Sequence, residues 1–271
     1  MPDQGSPKDT SADGTTGQVI LVGGGPGADD LITVRGLDRL LAADVVISDR
    51  LGPAGLLDRL QPDVEVIHAG RWPGKPTLTH DEIAGLMIAR AREGKVVVRL
   101  KGGDPFVFAH GAQEVHSCAA AGIPVEVVPG VTSATAAASL AGAPLTSTEG
   151  AAGFSVVSGH LDPGDPRSRV DWGALARSGT TLVVLMGMRN LPAIAARLIK
   201  EGIAPGTTAI CVADASRPTQ RVVRARLADL AAKVAAAGLT NPATVIVEAW
   251  VAGLAGSLAE DKRAASRLSS E

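Results

Sequence analysis

Short runs of β-branched and aliphatic residues alternate along this chain with longer segments whose apolar residues recur every three or four positions. The short runs predict β-strands and the longer segments predict α-helices. In the first half, the predicted strands are 18–22, 45–47, 64–68, 95–100 and 125–128, and the predicted helices are 33–42, 79–93 and 112–121. In the second half, the predicted strands are 154–158, 180–186, 208–213, 221–224 and 244–251, and the predicted helices are 190–200 and 227–237. This alternation is typical of an α/β fold.

The pattern also predicts how the chain is divided. Thr79 and Glu82 have the spacing of a capping box, which places the start of the second helix. We expect two domains, 18–130 and 131–255, that meet near 129–132 and leave a cleft between them. Segments 1–17 and 256–271 are polar and are predicted to be disordered tails, and the first has no apolar stretch typical of a signal peptide.

Composition narrows the possible functions. The 271 residues include no tyrosine and few other aromatics, the net charge is −2, and no basic run is present, which argues against a nucleic-acid-binding protein. No apolar run approaches the roughly 20 residues of a membrane span. Cys118 and Cys211 lie in apolar segments outside any CxxC pair, so we expect buried free thiols in a reducing, cytoplasmic compartment. Five scattered histidines without metal-ligand spacing predict no metal site.

The stretch 96–108, VVVRLKGGDPFVF, predicts a buried strand that ends in a ligand-binding loop. Gly102 and Gly103 allow a bound molecule to approach the backbone closely, and Asp104 places a carboxylate at the carboxyl end of the strand. In open α/β sheets, ligands bind at that edge. The alternative is an ordinary Asp-Pro turn.

The first loop, GGGPGADD at 23–30, satisfies the relaxed dinucleotide pattern GxGxxA, and Asp49 follows at the distance of about 20 residues expected for a ribose-binding acid. Asp29 and Asp30 would repel a pyrophosphate, and Pro26 removes a backbone donor. A nicotinamide-dependent oxidoreductase is therefore an alternative function, although the two aspartates and Pro26 argue against it.

Many segments of the chain match, in order, the motifs of the tetrapyrrole methylase family. They are GGGPG at 23–27, LITVRG at 31–36, ADVVISDRL at 43–51, RLKGGDPFVF at 99–108, VVPGVTSATAA at 127–137, PLT at 144–146, SGH at 158–160, LMGM at 185–188 and TQRVV at 219–223. A single glycine-rich loop would be weak evidence, whereas this ordered set covers 19 to about 251. The chain thus closely resembles this family.

The resemblance implies two unequal α/β domains with S-adenosylmethionine as the cosubstrate in the cleft between them, and a homodimer. It also implies methylation of uroporphyrinogen III at C2 and C7, giving precorrin-2 by way of precorrin-1, in sirohaem or cobalamin synthesis. A substrate carbon is the nucleophile, so such an enzyme holds both partners close and manages a proton, without a metal. Alternatives are a methylase of a later precorrin and a degenerate S-adenosylmethionine-binding protein without catalysis.

Site residues follow from the resemblance position by position. The expected cosubstrate-binding residues are Pro26, Gly102, Gly103, Asp104, Val107, Thr132, Ser133, Met186, Ala215 and Ala243. The expected catalytic residues are Asp49 and Arg71. Arg71 replaces the usual lysine and cannot readily release a proton, so we expect it to bind a substrate carboxylate. The alternative for Asp49 is an N-cap of a helix at Pro53.

The substrate-side positions depart from the family pattern. His110 replaces an arginine, Gln113 a glutamate, Thr148 a basic residue and Ala28 an acid, and the first three are the expected substrate-binding residues. An acceptor with eight carboxylates needs cations around it. Either other basic residues compensate or the acceptor differs; the candidates are Arg50, Arg71, Lys75 and Lys101. Taken singly, Arg99 and Lys101 are expected to be solvated strand ends.

Overall fold

The structure is a computed structural model that describes residues 16–49, 51–70 and 78–247. A first five-stranded sheet is entirely parallel and has the order β3-β2-β4-β1-β5. Its strands are β1 (Gln18–Gly23), β2 (Val45–Ser48), β3 (Glu65–His68), β4 (Val96–Lys101) and β5 (Val125–Val128). Its helices are α1 (Val34–Leu41), α2 (His80–Arg92) and α3 (Gly111–Ala120).

The second five-stranded sheet is mixed. Its order is β6-β7-β10-β8-β9, and only the β6–β7 pair is parallel. The strands are β6 (Phe154–Ser158), β7 (Thr181–Leu185), β8 (Thr208–Ala213), β9 (Arg221–Arg226) and β10 (Ala243–Val247). The helices are α4 (Ser133–Leu140), α5 (Trp172–Arg177), α6 (Leu191–Lys200) and α7 (Leu227–Ala236).

The apolar runs form central strands because both faces of the first sheet are covered. Along β4, Val97 belongs to an apolar cluster on one face, and Val98 and Leu100 belong to a cluster on the other. The second sheet likewise has one cluster against α6 and α7 and another against α4. Parallel strands buried on both faces require continuous aliphatic runs, as the sequence has.

The predicted strands and helices are confirmed to within about two residues where the structure describes them. The capping box is also confirmed, since the Thr79 Oγ1 accepts from the Glu82 amide at 3.2 Å and the Glu82 carboxylate accepts from the Thr79 amide at 2.7 Å. Two helices were missed, α4 and α5. The first is mostly alanine and has no apolar stripe to reveal it, and the second is only six residues long.

Some predictions fall on other parts of the chain. Most of the 1–17 tail, all of the 256–271 tail and the end of the predicted 244–251 strand lie outside the described residues, as do Arg50, Arg71 and Lys75. The division into domains at 130/131 stays a prediction. No helix in the described ranges has the length and apolar character needed to cross a membrane.

Candidate active site

Three loops meet at the carboxyl ends of β1, β4 and β5. A Cβ added to Gly130 would lie 2.2 Å from the Gly103 carbonyl oxygen, and one added to Gly23 would lie 2.5 Å from the Gly130 Cα. The Gly103 amide donates to the Gly25 carbonyl at 2.7 Å, which ties the first loop to the β4 loop. Only glycine allows three backbones to approach this closely.

The Gly103 position is open on its other side. Its φ of +68° lies in the left-handed region that favours glycine, and the nearest atom to an added Cβ would be the Thr132 Cα at 3.9 Å. The β4 loop therefore presents bare backbone towards the start of α4, which leaves room for a ligand.

Asp104 holds two of these loops together. One carboxylate oxygen accepts from the Phe106 amide at 2.8 Å, and the other accepts from the Gly130 amide at 3.0 Å. The turn that the sequence offered as the alternative is thus present. A role for Asp104 in cosubstrate binding stays a prediction, and the carboxylate would serve it with its remaining lone pairs.

Backbone strain is concentrated in the loops that follow strands. Among the residues that the structure describes, five non-glycine residues have positive φ, and all follow the carboxyl ends of β4, β7 or β8: Phe108 (53°), His110 (59°), Met186 (57°), Asp214 (50°) and Ser216 (71°). Such conformations persist where the surroundings enforce them, and they cluster at functional sites. Met186 is also 44% exposed, which is unusual for a large apolar side chain at the end of a buried strand.

Residues expected to bind the cosubstrate converge from both halves of the chain. Val107 packs against an apolar cluster that includes Ala134, Leu185 and Ala215, so the β4 loop meets the loops after β7 and β8. Thr132 caps α4, since its Oγ1 accepts from the Ala134 amide at 3.3 Å. These contacts bring Ser133 and Met186 to the same region through their neighbours in sequence.

Ala243 and Pro26 join the same region through backbone contacts. Ala243 opens β10 and pairs with Ala213 at the end of β8. Pro26 follows Gly25, which is bridged to Gly103. All ten expected cosubstrate-binding residues thus lie on loops, helix starts or strand ends, and contacts join several of these segments. Their role in cosubstrate binding stays a prediction.

The loop after β8 contacts the first loop. The sequence predicted Ala215 of this loop as a site residue but did not single out Ser216 or Arg217. The Ser216 Oγ accepts from the Ala28 amide at 2.9 Å, and the Arg217 guanidinium donates to the Leu51 carbonyl at 3.3 Å. A Cβ on Gly27 would lie 2.6 Å from the Arg217 Nε. The only local signal was the neighbouring TQRVV motif.

The first loop does not have the geometry of a dinucleotide site. It leads into a short 3-10 turn, Asp29–Leu31, that carries two carboxylates, and α1 begins only at Val34. A pyrophosphate site needs glycine amides at a helix N-terminus. The nicotinamide alternative is therefore not supported.

Asp49 lies where β2 meets the β4 loop. One oxygen, Oδ1, accepts from the amides of Leu51, Gly52 and Gly102 at 3.0, 3.1 and 3.3 Å. The other, Oδ2, lies 3.6 Å from the Arg99 Nη2 and accepts no hydrogen bond from the described residues. The helix N-cap alternative is wrong, because Pro53 occupies the cap position of the following 3-10 helix.

The expectation of solvated strand ends at Arg99 and Lys101 is also wrong. These side chains are 4% and 2% exposed, and both bind Glu114 of α3, which is 3% exposed. The Arg99 Nε lies 3.1 Å from Oε1 of Glu114, and the Lys101 Nζ lies 2.7 Å from its Oε2. Burial lowers the pKa of Lys101, Arg99 lowers it further, and Glu114 opposes the shift. Because Lys101 is buried and paired with Glu114, it is not available to bind a substrate carboxylate.

The residues expected to bind the substrate, His110, Gln113 and Thr148, are less closely connected to Asp49 than Arg99 and Gly102 are. The His110 ring lies 4.1 Å from the His80 ring, and burial lowers the pKa of His110, with His80 and Lys101 acting in the same direction. Its imidazole is thus neutral near neutral pH. Gln113 and Thr148 are exposed, and no hydrogen bond or ion pair among the described residues joins either of them to Asp49.

A groove of about 610 Å³ lies beside β6 and includes Phe108, His160 and Arg169 in its lining. None of the predicted site residues lines it. Cys118 and Cys211 are buried free thiols, as expected, and burial raises the pKa of each to about 11. Across the described ranges, no three His, Cys, Asp or Glu side chains come together as a metal would require.

Comparison with known proteins identifies the family. The model of the Tetrapyrrole (Corrin/Porphyrin) Methylases matches residues 18–231, so the chain belongs to this family. It is 42% identical over 233 residues to a siroheme synthase of Gluconacetobacter diazotrophicus, covering 86% of this chain and 49% of that protein. It is 39% identical over 234 residues to an S-adenosyl-L-methionine-dependent uroporphyrinogen III methyltransferase of Methanosarcina barkeri, covering 86% of this chain and 92% of that protein.

Solved structures agree. A uroporphyrin-III C-methyl transferase from Thermus thermophilus, complexed with S-adenyl homocysteine, has a TM-score of 0.71 and 40% identity, covering 86% of this chain and 97% of that one. A cobalt precorrin-4 methyltransferase has a TM-score of 0.78 and 28% identity, covering 85% and 94%. The expected family and fold class are confirmed. The chain spans about half the length of the siroheme synthases that it matches.

Proposed function

We propose that this chain is an S-adenosylmethionine-dependent methyltransferase that methylates uroporphyrinogen III at C2 and C7, giving precorrin-2 by way of precorrin-1. The observation that carries the proposal is the hydrogen bond from the Gly102 amide to Asp49, which sets a carboxylate beside the expected cosubstrate loop. Two relatives named as uroporphyrinogen III methyltransferases match most of the chain, and each is 39% identical to it.

The cleft suits a sulfonium cosubstrate. We propose that bare backbone at Gly103, the small residues Thr132 and Ser133, and the apolar pair Val107 and Ala215 line the cosubstrate site. Gly103 is open towards the start of α4, and Val107 and Ala215 share one apolar cluster. Pro26, Gly102, Asp104, Met186 and Ala243 border this proposed site. Carboxylates favour a nearby positive sulfur and disfavour a phosphate.

The chemistry needs little from the protein beyond placement and a proton acceptor. The pyrrole carbon forms a bond to the methyl carbon while the methyl–sulfur bond breaks, and its electron pair stays on sulfur. The ring gains positive charge and then releases a proton. Oδ2 of Asp49 accepts no hydrogen bond from the described residues, and the side chain is 24% exposed, so Asp49 is the proposed acceptor.

In this proposal, the residues that bind the carboxylates of uroporphyrinogen III are Arg71, His110, Gln113 and Thr148. As the His110 imidazole is neutral near neutral pH, it donates a hydrogen bond to a carboxylate without adding charge. Arg71 is then the principal cation of this set. The proposal also includes a homodimer, a cytoplasmic location and a place in sirohaem or cobalamin synthesis.

A later precorrin as the acceptor is the second candidate, because the cobalt precorrin-4 methyltransferase has the higher TM-score of the two structures compared. The identities favour uroporphyrinogen III, since that structure is 28% identical and the uroporphyrin-III methyl transferase is 40% identical. Fold similarity alone does not separate two acceptors within one family.

Anaerobic incubation with S-adenosylmethionine and freshly prepared uroporphyrinogen III, followed by mass spectrometry, tests the proposal. Wild-type protein should add two methyl groups. Asp49→Asn should slow transfer by about 100-fold or more, as expected for loss of a proton acceptor, with S-adenosylmethionine affinity nearly unchanged in calorimetry. Asp44→Asn is the matched control, since Asp44 binds the Val96 amide at the opposite end of β2.

No methyl transfer by the wild-type protein would refute the proposed function. Equal rates for the Asp49→Asn and Asp44→Asn variants would remove Asp49 from the catalytic role while leaving the activity in place.

A further inference from the structure

Four charged side chains form one connected group that runs from α3 to the cleft. Glu114 binds both Arg99 and Lys101, and Arg99 faces Asp49. Three of the four are at most 4% exposed, and only Asp49 reaches the cleft. Of these four side chains, the proposed chemistry uses only Asp49, as the proton acceptor.

The geometry of Arg99 leaves it little freedom. Its Nη1 donates to the carbonyls of Ile47 and Leu100 at 3.1 and 3.0 Å, while its Nε lies 3.1 Å from Glu114. These contacts come from β2, β4 and α3 and fix the plane of the guanidinium. The Nη2 is the atom left to face Oδ2 of Asp49.

The group is balanced in charge. Two cations, Arg99 and Lys101, face two carboxylates, Glu114 and Asp49. Loss of the Glu114 charge would leave the buried cations with Asp49 as their one carboxylate, and the guanidinium would be drawn towards it. Uncompensated charge in a buried site is unfavourable, so the position of Arg99 depends on Glu114.

We propose that Glu114 is a positioning residue for methyl transfer. It holds the Arg99 guanidinium at the distance that leaves Oδ2 of Asp49 available to take the proton that the pyrrole ring releases. This proposal rests on the proposed function, because it assigns Glu114 an effect on the reaction through Asp49. Lys101 occupies the second oxygen of Glu114 and completes the charge balance. Glu114 itself touches neither substrate.

A double-mutant cycle between Glu114→Gln and Asp49→Asn tests this assignment. Alone, Glu114→Gln should lower kcat by about tenfold, and the Kd for S-adenosylmethionine should stay within about twofold. In the Asp49→Asn background, the same change should lower kcat no further, because residues that act as a unit are not additive. A merely structural role would multiply the two losses.

Glu65→Gln is the matched control. Glu65 also binds an arginine, Arg90, but it lies at the amino-terminal end of β3, away from the carboxyl ends of the strands. This substitution should leave kcat unchanged. If Glu114→Gln does not fold, the cycle is run with Lys101→Met/Glu114→Gln, which removes one charge of each sign and so keeps the buried group balanced. Rates are measured at a temperature where circular dichroism shows each variant fully folded.

Wild-type kcat in the Glu114→Gln variant, or multiplied losses in the cycle, would overturn the proposal while the wild-type protein still methylates. Absence of transfer by the wild-type protein would remove the proposed function and this inference together. The proposal is supported if Glu114→Gln lowers kcat in the protein that retains Asp49 and causes no further loss in the Asp49→Asn variant.

Discussion

At the scale of single residues, His110 is the position where we propose that substrate binding departs from the family pattern. Its ring lies 4.1 Å from the His80 ring at an angle of 35°, its backbone is in the left-handed conformation, and desolvation, His80 and Lys101 each lower its pKa. The related signature has an arginine here, which would offer a permanent charge and a bidentate donor to a carboxylate. The present residue offers neither.

We expect His110→Arg to lower the KM for uroporphyrinogen III by about tenfold, since a charged hydrogen bond to a carboxylate is stronger than a neutral one. Steady-state kinetics with varied acceptor would measure it. His116→Arg is the control, because His116 is exposed on the same helix. Equal KM values for the two variants would show that position 110 does not meet the acceptor.

Burial of single residues was the hardest property to predict from sequence. Arg99 and Lys101 alternate with aliphatic residues on a strand, which is the usual pattern of a solvated face. They are buried because α3 brings Glu114 over them, and this long-range contact has no local signal. Ser216 and Arg217 were missed for the same reason, since their partners Ala28 and Leu51 lie far away in sequence.

At the scale of elements, the local rules worked where large side chains report their surroundings. The strands of the first sheet and the capped start of α2 were predicted because aliphatic runs and the Thr79–Glu82 pair are local features. Helix α4 was missed, although alanine is the best helix former and Thr132 caps it. Small residues leave no apolar period along this helix that would reveal it in the sequence.

Two threonine caps separate stability from binding. Thr79 caps α2 and Thr132 caps α4, so Thr79→Ala and Thr132→Ala should each cost about 1 kcal/mol of unfolding free energy. Only Thr132 lies in the expected cosubstrate cleft, so only Thr132→Ala should also weaken S-adenosylmethionine binding. Denaturant unfolding and calorimetry measure the two effects. Equal S-adenosylmethionine affinity in both variants would place Thr132 outside the site.

At the scale of the whole molecule, the candidate site lies where loops from the two sheets contact each other. The β4 loop and the loops after β7 and β8 share one apolar cluster, and the segment after β8 contacts the first loop through Ser216. Motif order along the chain predicted which loops carry the candidate site, and the structure brings several of these loops into contact. It did not predict that Asp49 would accept a hydrogen bond from Gly102 or that three buried charged side chains, Arg99, Lys101 and Glu114, would lie behind it.

We propose that these loops hold S-adenosylmethionine beside uroporphyrinogen III, so that the substrate is methylated at C2 and C7. The most direct measurement uses S-adenosylmethionine with a ¹³C-labelled methyl group, anaerobic turnover of uroporphyrinogen III, and NMR of the product. We predict two labelled methyl signals, assigned to C2 and C7. Label at any other ring position, or an acceptor returned without label, would contradict the claim.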